Sequence, residues 1–144
     1  MPHRSRARPV LLAALALIAG AAPAAASGAM PAPLAGSEWT PTAIDGAALP
    51  EDMRVFLQFR GAGRLRGHGG CNSLAGSYSA AGGRLSLGPL AMTRKSCAPP
   101  VDAAEQRLLA ALERARGYRR ERIRLTLLDA AGRPVMQLRQ TDPD

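Results

Sequence analysis

From Met53 onward the chain alternates apolar and polar residues with a period of two, and glycine-rich turns break that alternation at short intervals. In MRVFLQF, Val55, Leu57 and Phe59 fall on one side and Arg54, Phe56 and Gln58 on the other. A strand sends successive side chains to opposite faces, so this is a strand with one buried face. RGAG (60–63) then turns the chain into RLRGHGG, which makes a hairpin. A second hairpin runs from GSYSA to RLSLG around AGG (81–83), and a third joins IRLTLLD to PVMQLRQ across AAGR. SEWTPTAI, which carries the only tryptophan, reads as a first strand ending at the Asp45-Gly46 turn. Pro41 has no amide hydrogen to give to a ladder, which favours an edge or a bulge there.

One segment breaks the period. In VDAAEQRLLAALERARGY, Val101, Ala104, Leu108, Ala111, Leu112 and Ala115 recur at helical spacing, with Glu105, Arg107, Glu113, Arg114 and Arg116 read as mostly on the other side. Pro99 and Pro100 precede it, Asp102 and Glu105 suit the positive helix N-terminus, and Gly117 supplies a stop. Strands, one helix and further strands, all joined by hairpins, predict a small single α+β domain. Its expected form is a curved antiparallel sheet with the helix packed against one side.

The N-terminus is read separately. Arg4, Arg6 and Arg8 precede the apolar run Val10 to Gly20 and the small residues AAPAAAS. That order is a secretory signal, with cleavage expected after Ala26. The apolar run is too short to span a bilayer, which needs about 20 apolar residues. No cysteine follows it for a lipid anchor. The expected organisation is a signal peptide over 1–26, a disordered leader over 27–36 and a folded domain over 37–140, with a periplasmic or secreted location. Three of the 19 Lys+Arg lie in the signal and all 11 acids lie beyond it, so the mature charge is +5. Nearly all of that positive charge is arginine, since Lys95 is the only lysine. GC-rich codons account for this bias as well as any polyanion site does. Only five aromatic residues are present, none interleaved with a basic run, and the chain is read as exported, so no nucleic-acid partner is expected.

The stretch GHGGCNSLAGSY (67–78) holds one of the two cysteines and the only asparagine. Two cysteines in an exported chain pair by default, so Cys71 and Cys97 are expected to form a structural disulfide. Two alternatives are open. His68, three residues before Cys71, could activate it as a thiol nucleophile, as in a small hydrolase or thiol enzyme; against this, Cys71 sits in a glycine turn with no helix following. A zinc site would need both cysteines, His68 and a carboxylate, without the short paired spacings such sites use. No catalytic residue, metal or cofactor is therefore assigned. Gly70 and Asn72 read as turn formers, and Tyr78 as a core ring with a bonded hydroxyl. GYRRERIR concentrates four arginines, of which Arg120, Arg122 and Arg124 would share one strand face, solvated or open to anions such as phosphates.

The order of these features resembles the META domain family, which includes HslJ-like bacterial heat-shock proteins. The resemblance rests on Trp39 with the Asp45-Gly46 turn, Gly70 to Asn72, Gly76 and Tyr78, and Gly88 to Cys97 with Thr93 four residues before the cysteine. It continues through the helix from Glu105 to Leu112 and the terminal Leu125 to Val135. It covers about Ser37 to Arg139; His68-Gly69 and the missing lipid-anchor cysteine depart from the pattern. It implies Gly70, Asn72, Gly76, Tyr78 and Thr93 as motif residues, Cys71 and Cys97 as structural partners, and no catalytic residues. The implied function is a non-enzymatic, monomeric envelope protein in stress response or antibiotic tolerance, bound to an unidentified protein or envelope component. An inhibitor of a periplasmic protease or hydrolase is the remaining alternative.

Overall fold

A computed structural model describes residues 33–141 of the chain, together with Gly20. The segments expected to be a signal peptide, Gly20 apart, and a leader as far as residue 32 lie outside the described residues. The strands are β1 (Ser37–Ile44), β2 (Ala47–Ala48), β3 (Val55–Arg60), β4 (Arg64–Gly69), β5 (Ser73–Ala81), β6 (Arg84–Leu87), β7 (Ala91–Met92), β8 (Gly117–Glu121), β9 (Arg124–Leu128) and β10 (Pro134–Gln140). The helix, α1, is Val101–Arg114.

The expectation of an open curved sheet is wrong. The strands follow the order β10-β9-β8-β6-β5-β4-β3-β1, and β1 also pairs with β10, so the sheet closes into an eight-stranded antiparallel barrel. The short β2 and β7 attach to β1 and β5. Closure runs through Trp39 opposite Gln140 and Ile44 opposite Met136, residues from the two ends of the domain. Period-two alternation states that a strand has an inner face, but an open and a closed sheet alternate alike. Closure is set by which edges meet, and it removes both open edges at once. Pro41 sits at a β-bulge against β10, where its missing amide hydrogen is tolerated.

At eight strands the interior of a barrel is just wide enough to be filled by side chains. Trp39, Leu57, Phe59, Leu65 and Leu127 fill it and are fully buried. The C-terminal ends of β1 and β4 and the N-terminal end of β10 lie at the same end of the antiparallel barrel, and α1 packs on those three strands. Leu108, Ala111 and Leu112 of α1 join the barrel core from that end. The helix therefore stoppers a barrel rather than covering a sheet. It ends at Arg114, where the Ala115 amide bonds the Ala111 and Leu112 carbonyls, and Gly117 opens β8 instead of stopping the helix.

The other end is closed by residues expected to be a disordered leader. Leu34 is 1% exposed, and the Gly36 amide donates to the Phe59 carbonyl. Ser37 links the plug to the core: its hydroxyl donates to the Leu34 carbonyl and accepts from Trp39 Nε1 at 2.7 Å. Leu34 stands alone among small residues and prolines, so no periodicity marks it; only the barrel mouth gives it a place to be buried.

Candidate functional site

The polar residues of the motif stretch meet at the α1 end of the barrel. Strand β4 ends at Gly69, and the chain turns through Gly70, whose φ of 109° is a conformation that L side chains rarely adopt. A Cβ on Gly69 would stand 2.7 Å from Oε2 of Glu105, so a glycine is what lets the helix carboxylate reach the turn. Glu105 is only 1% exposed. Its Oε2 accepts the amides of Cys71 at 2.9 Å and Asn72 at 2.7 Å, and its Oε1 accepts Nδ2 of Asn72 at 2.7 Å.

Asn72 passes this contact on to a third segment. Nδ2 also donates to the Lys95 carbonyl at 3.3 Å, while Oδ1 accepts the Lys95 amide at 2.7 Å and the Thr93 hydroxyl at 2.9 Å. Both donors and both acceptors of the amide are used. Aspartate would offer no donor to Glu105, which explains an asparagine here. Thr93 in turn accepts the Ser73 amide at 3.0 Å. Beside this hub Cys71 is bonded to Cys97, with Cα atoms 5.9 Å apart. The 70–72 turn, the 93–97 segment and α1 are thus held together by one carboxylate, one amide and one disulfide.

Burial alone would raise the Glu105 pKa, but the Asn72 side chain, the Asn72 and Cys71 amides and the charge of His68 outweigh it, and the carboxyl is held below its ordinary range. A group with a lowered folded pKa binds fewer protons folded than unfolded, so its stabilisation is present above the unfolded value and is lost as pH falls through the folded one. Asp129 has the same sign: its Oδ1 accepts the Ala131 and Arg133 amides in the β9–β10 turn, which lowers its pKa. We expect stability to be flat above about pH 5 and to fall progressively below about pH 4.3. Denaturant midpoints from pH 2.5 to 7 measure this. In Glu105→Gln the acid slope should shrink; an unchanged slope would exclude Glu105 as a source.

The other sequence-derived residues separate into two groups. His68 is held by its surroundings: Nδ1 lies 2.9 Å from the Arg54 carbonyl and 3.2 Å from the Gly70 amide, and the ring stacks on Phe56. Cys71 carries no thiol in this structure, so the pair does not form a nucleophilic dyad. Tyr78 donates its hydroxyl to the Arg60 carbonyl at 2.8 Å and sets its ring edge-on to Phe59, and burial raises its pKa. Gly76 makes room for Leu90, whose Cδ2 would be 2.8 Å from a Cβ. No group of three potential metal ligands occurs among the described residues.

The single arginine face does not form. Arg120 points to the barrel mouth, 5.0 Å above the Trp39 ring, and donates to the Pro33 carbonyl and to Gln140. Arg122 occupies the two-residue turn between β8 and β9 with a φ of 55°. Only Arg124 keeps an outward strand position, because the chain reverses at 122–123 and the even-number count does not carry across a turn.

Glu105 lies on the buried side of α1, not on the outer side expected for it. Its position is nevertheless legible: 101, 104, 105, 108, 111, 112 and 115 form one continuous i, i+3, i+4 stripe, with a carboxylate in an otherwise apolar row.

A closed eight-stranded antiparallel barrel, stoppered by one helix and tied by an asparagine–glutamate hub beside a disulfide, is the class of protein that the fold and the site define. Residues 32–142 match the META domain family, and the chain belongs to it. An NMR structure of a protein from Burkholderia xenovorans is 25% identical, with a TM-score of 0.59 over 75% of this chain and 83% of that one. A second NMR structure is 23% identical, with a TM-score of 0.61 over 76% of this chain and 92% of that one, and it shows a shared fold. The comparison with curated proteins found no match.

Proposed function

We propose that this META-domain protein is exported and acts in the cell envelope without catalysis, by binding a protein or envelope component under stress. One observation carries the reading: the polar groups of the motif are consumed by each other. Asn72 spends all four of its hydrogen-bonding positions inside the hub, Glu105 is buried under three donors, and Cys71 is tied to Cys97. Such a cluster holds a scaffold, and function then falls to the outer strand faces and loops. The basic, apolar and small-residue order of the first 26 residues supports export, and a disulfide suits an oxidising compartment.

The test is a deletion strain, complemented with the wild-type gene and with a copy lacking residues 1–26. Greater sensitivity to heat, detergent and bulky antibiotics, restored only by the exported form, is expected. Unchanged sensitivity, or rescue by the copy without its leader, would overturn the reading.

A further inference from the structure

The outer face of β8, β9 and β10 carries a charge arrangement that sheet formation by itself opposes. Arg124 on β9 stands directly opposite Arg139 on β10, and both are exposed. Like charges directly opposite each other weaken a strand pair. Among the described residues no carboxylate forms an ion pair with either; Glu121 stands directly opposite Arg124 on the β8 side but pairs instead with Arg119 at 3.4 Å. These residues line a groove of about 460 Å³ that also takes in Thr126, Gln137 and Ile123. With three arginines and one glutamate, its lining is net cationic.

We propose that this groove binds a phosphorylated sugar, with the phosphate between the Arg124 and Arg139 guanidiniums. Two planar forks present more N–H donors than one carboxylate can accept, and a tetrahedral phosphate dianion satisfies both. Neutralising the cross-strand pair also removes its repulsion, so the ligand gains what the empty sheet lacks. The rest of the lining selects the sugar: the Thr126 hydroxyl and Gln137 amide match sugar hydroxyls, and the exposed Ile123 offers apolar contact to the ring C–H face. Among the described residues no aromatic side chain lines the groove for a nucleobase to stack on. Its volume lies in the range of small-ligand sites, about 300–1,000 Å³. The ligand class deepens the envelope role and rests on it only for where such a sugar is met.

Amide NMR titrations of the purified protein test this with glucose 6-phosphate, glucose, inorganic phosphate and phosphatidylglycerol vesicles. Glucose 6-phosphate should saturate and shift the amides of Arg124, Thr126, Gln137 and Arg139, with inorganic phosphate about tenfold weaker and glucose silent. Arg139→Gln should weaken glucose 6-phosphate at least about tenfold, with thermal stability unchanged or raised because a like-charge pair is gone. The proposal is overturned by no saturation below about 10 mM, by inorganic phosphate binding as tightly, or by equal affinity in Arg139→Gln. Vesicle binding without glucose 6-phosphate binding would assign the face to an anionic membrane and overturn it too. If glucose 6-phosphate fails while gene deletion still sensitises cells, the groove assignment falls and the envelope role stands; binding with no deletion phenotype reverses that outcome.

Discussion

Replacing Glu105 by alanine should lower the unfolding free energy by about 3–5 kcal/mol. The carboxylate is 1% exposed and accepts the Cys71 amide, the Asn72 amide and Asn72 Nδ2. Truncation leaves three donors facing a cavity, and a buried donor without a partner costs about 1–3 kcal/mol. Glu105→Gln separates charge from shape. Its NH₂ would face a donor whichever way the amide turns, so a loss of about 2–3 kcal/mol is expected even though the volume is kept. Asn72→Ala should be strongly non-additive with Glu105→Ala, because the two residues share a hydrogen bond and removing either already breaks the hub. Urea unfolding of the wild type, the three single variants and the Glu105→Ala/Asn72→Ala double variant measures both claims. A Glu105→Ala loss below about 1 kcal/mol, the worth of one ordinary hydrogen bond, would refute the hub as a main stabiliser.

The second large effect concerns the disulfide. Cys71→Ser should cost about 2–5 kcal/mol, and the chain-entropy model gives about 3.5 kcal/mol for a loop of this length. The bridge spans 26 positions and closes a loop that contains β5, β6 and β7. Strand β6 meets β8 at a single register pair, Arg84 opposite Gly117, so the barrel seam nearest this loop has little ladder of its own. Reductant should therefore lower the melting temperature of the wild type to that of Cys71→Ser, and thiol titration of the denatured, unreduced protein should find no free thiol. Equal melting with and without reductant would sink the prediction.

How much of this was legible before the structure varies by element. The limits of β1 follow from Trp39, Pro41 and the Asp45-Gly46 turn because they depend on neighbours a few residues away. The helix is legible for the same reason: its stripe is local. Strand β8 was visible only as a run of arginines, since its inward positions are Tyr118 and the half-buried Arg120, and its apolar signal is one residue. The arginine groove was half seen. Arg124 belongs to the GYRRERIR run, but Arg139 lies on a different strand, and a face counted along one strand rather than across three does not include Arg119.

The hub shows the division most clearly. The chain by itself determined that the cysteines would pair in an oxidising compartment and that glycines would shape the turn at Cys71, which are properties of residue type and compartment; the grouping of Cys71, Asn72 and Thr93 into one motif came from the family resemblance. The tertiary structure decided that Glu105 completes the motif from 33 positions away and that β1 and β10 close the barrel with Trp39 opposite Gln140. Alternation and capping act over one or two turns of chain, whereas a buried carboxylate and a closing strand pair exist only once distant edges have met and excluded water between them.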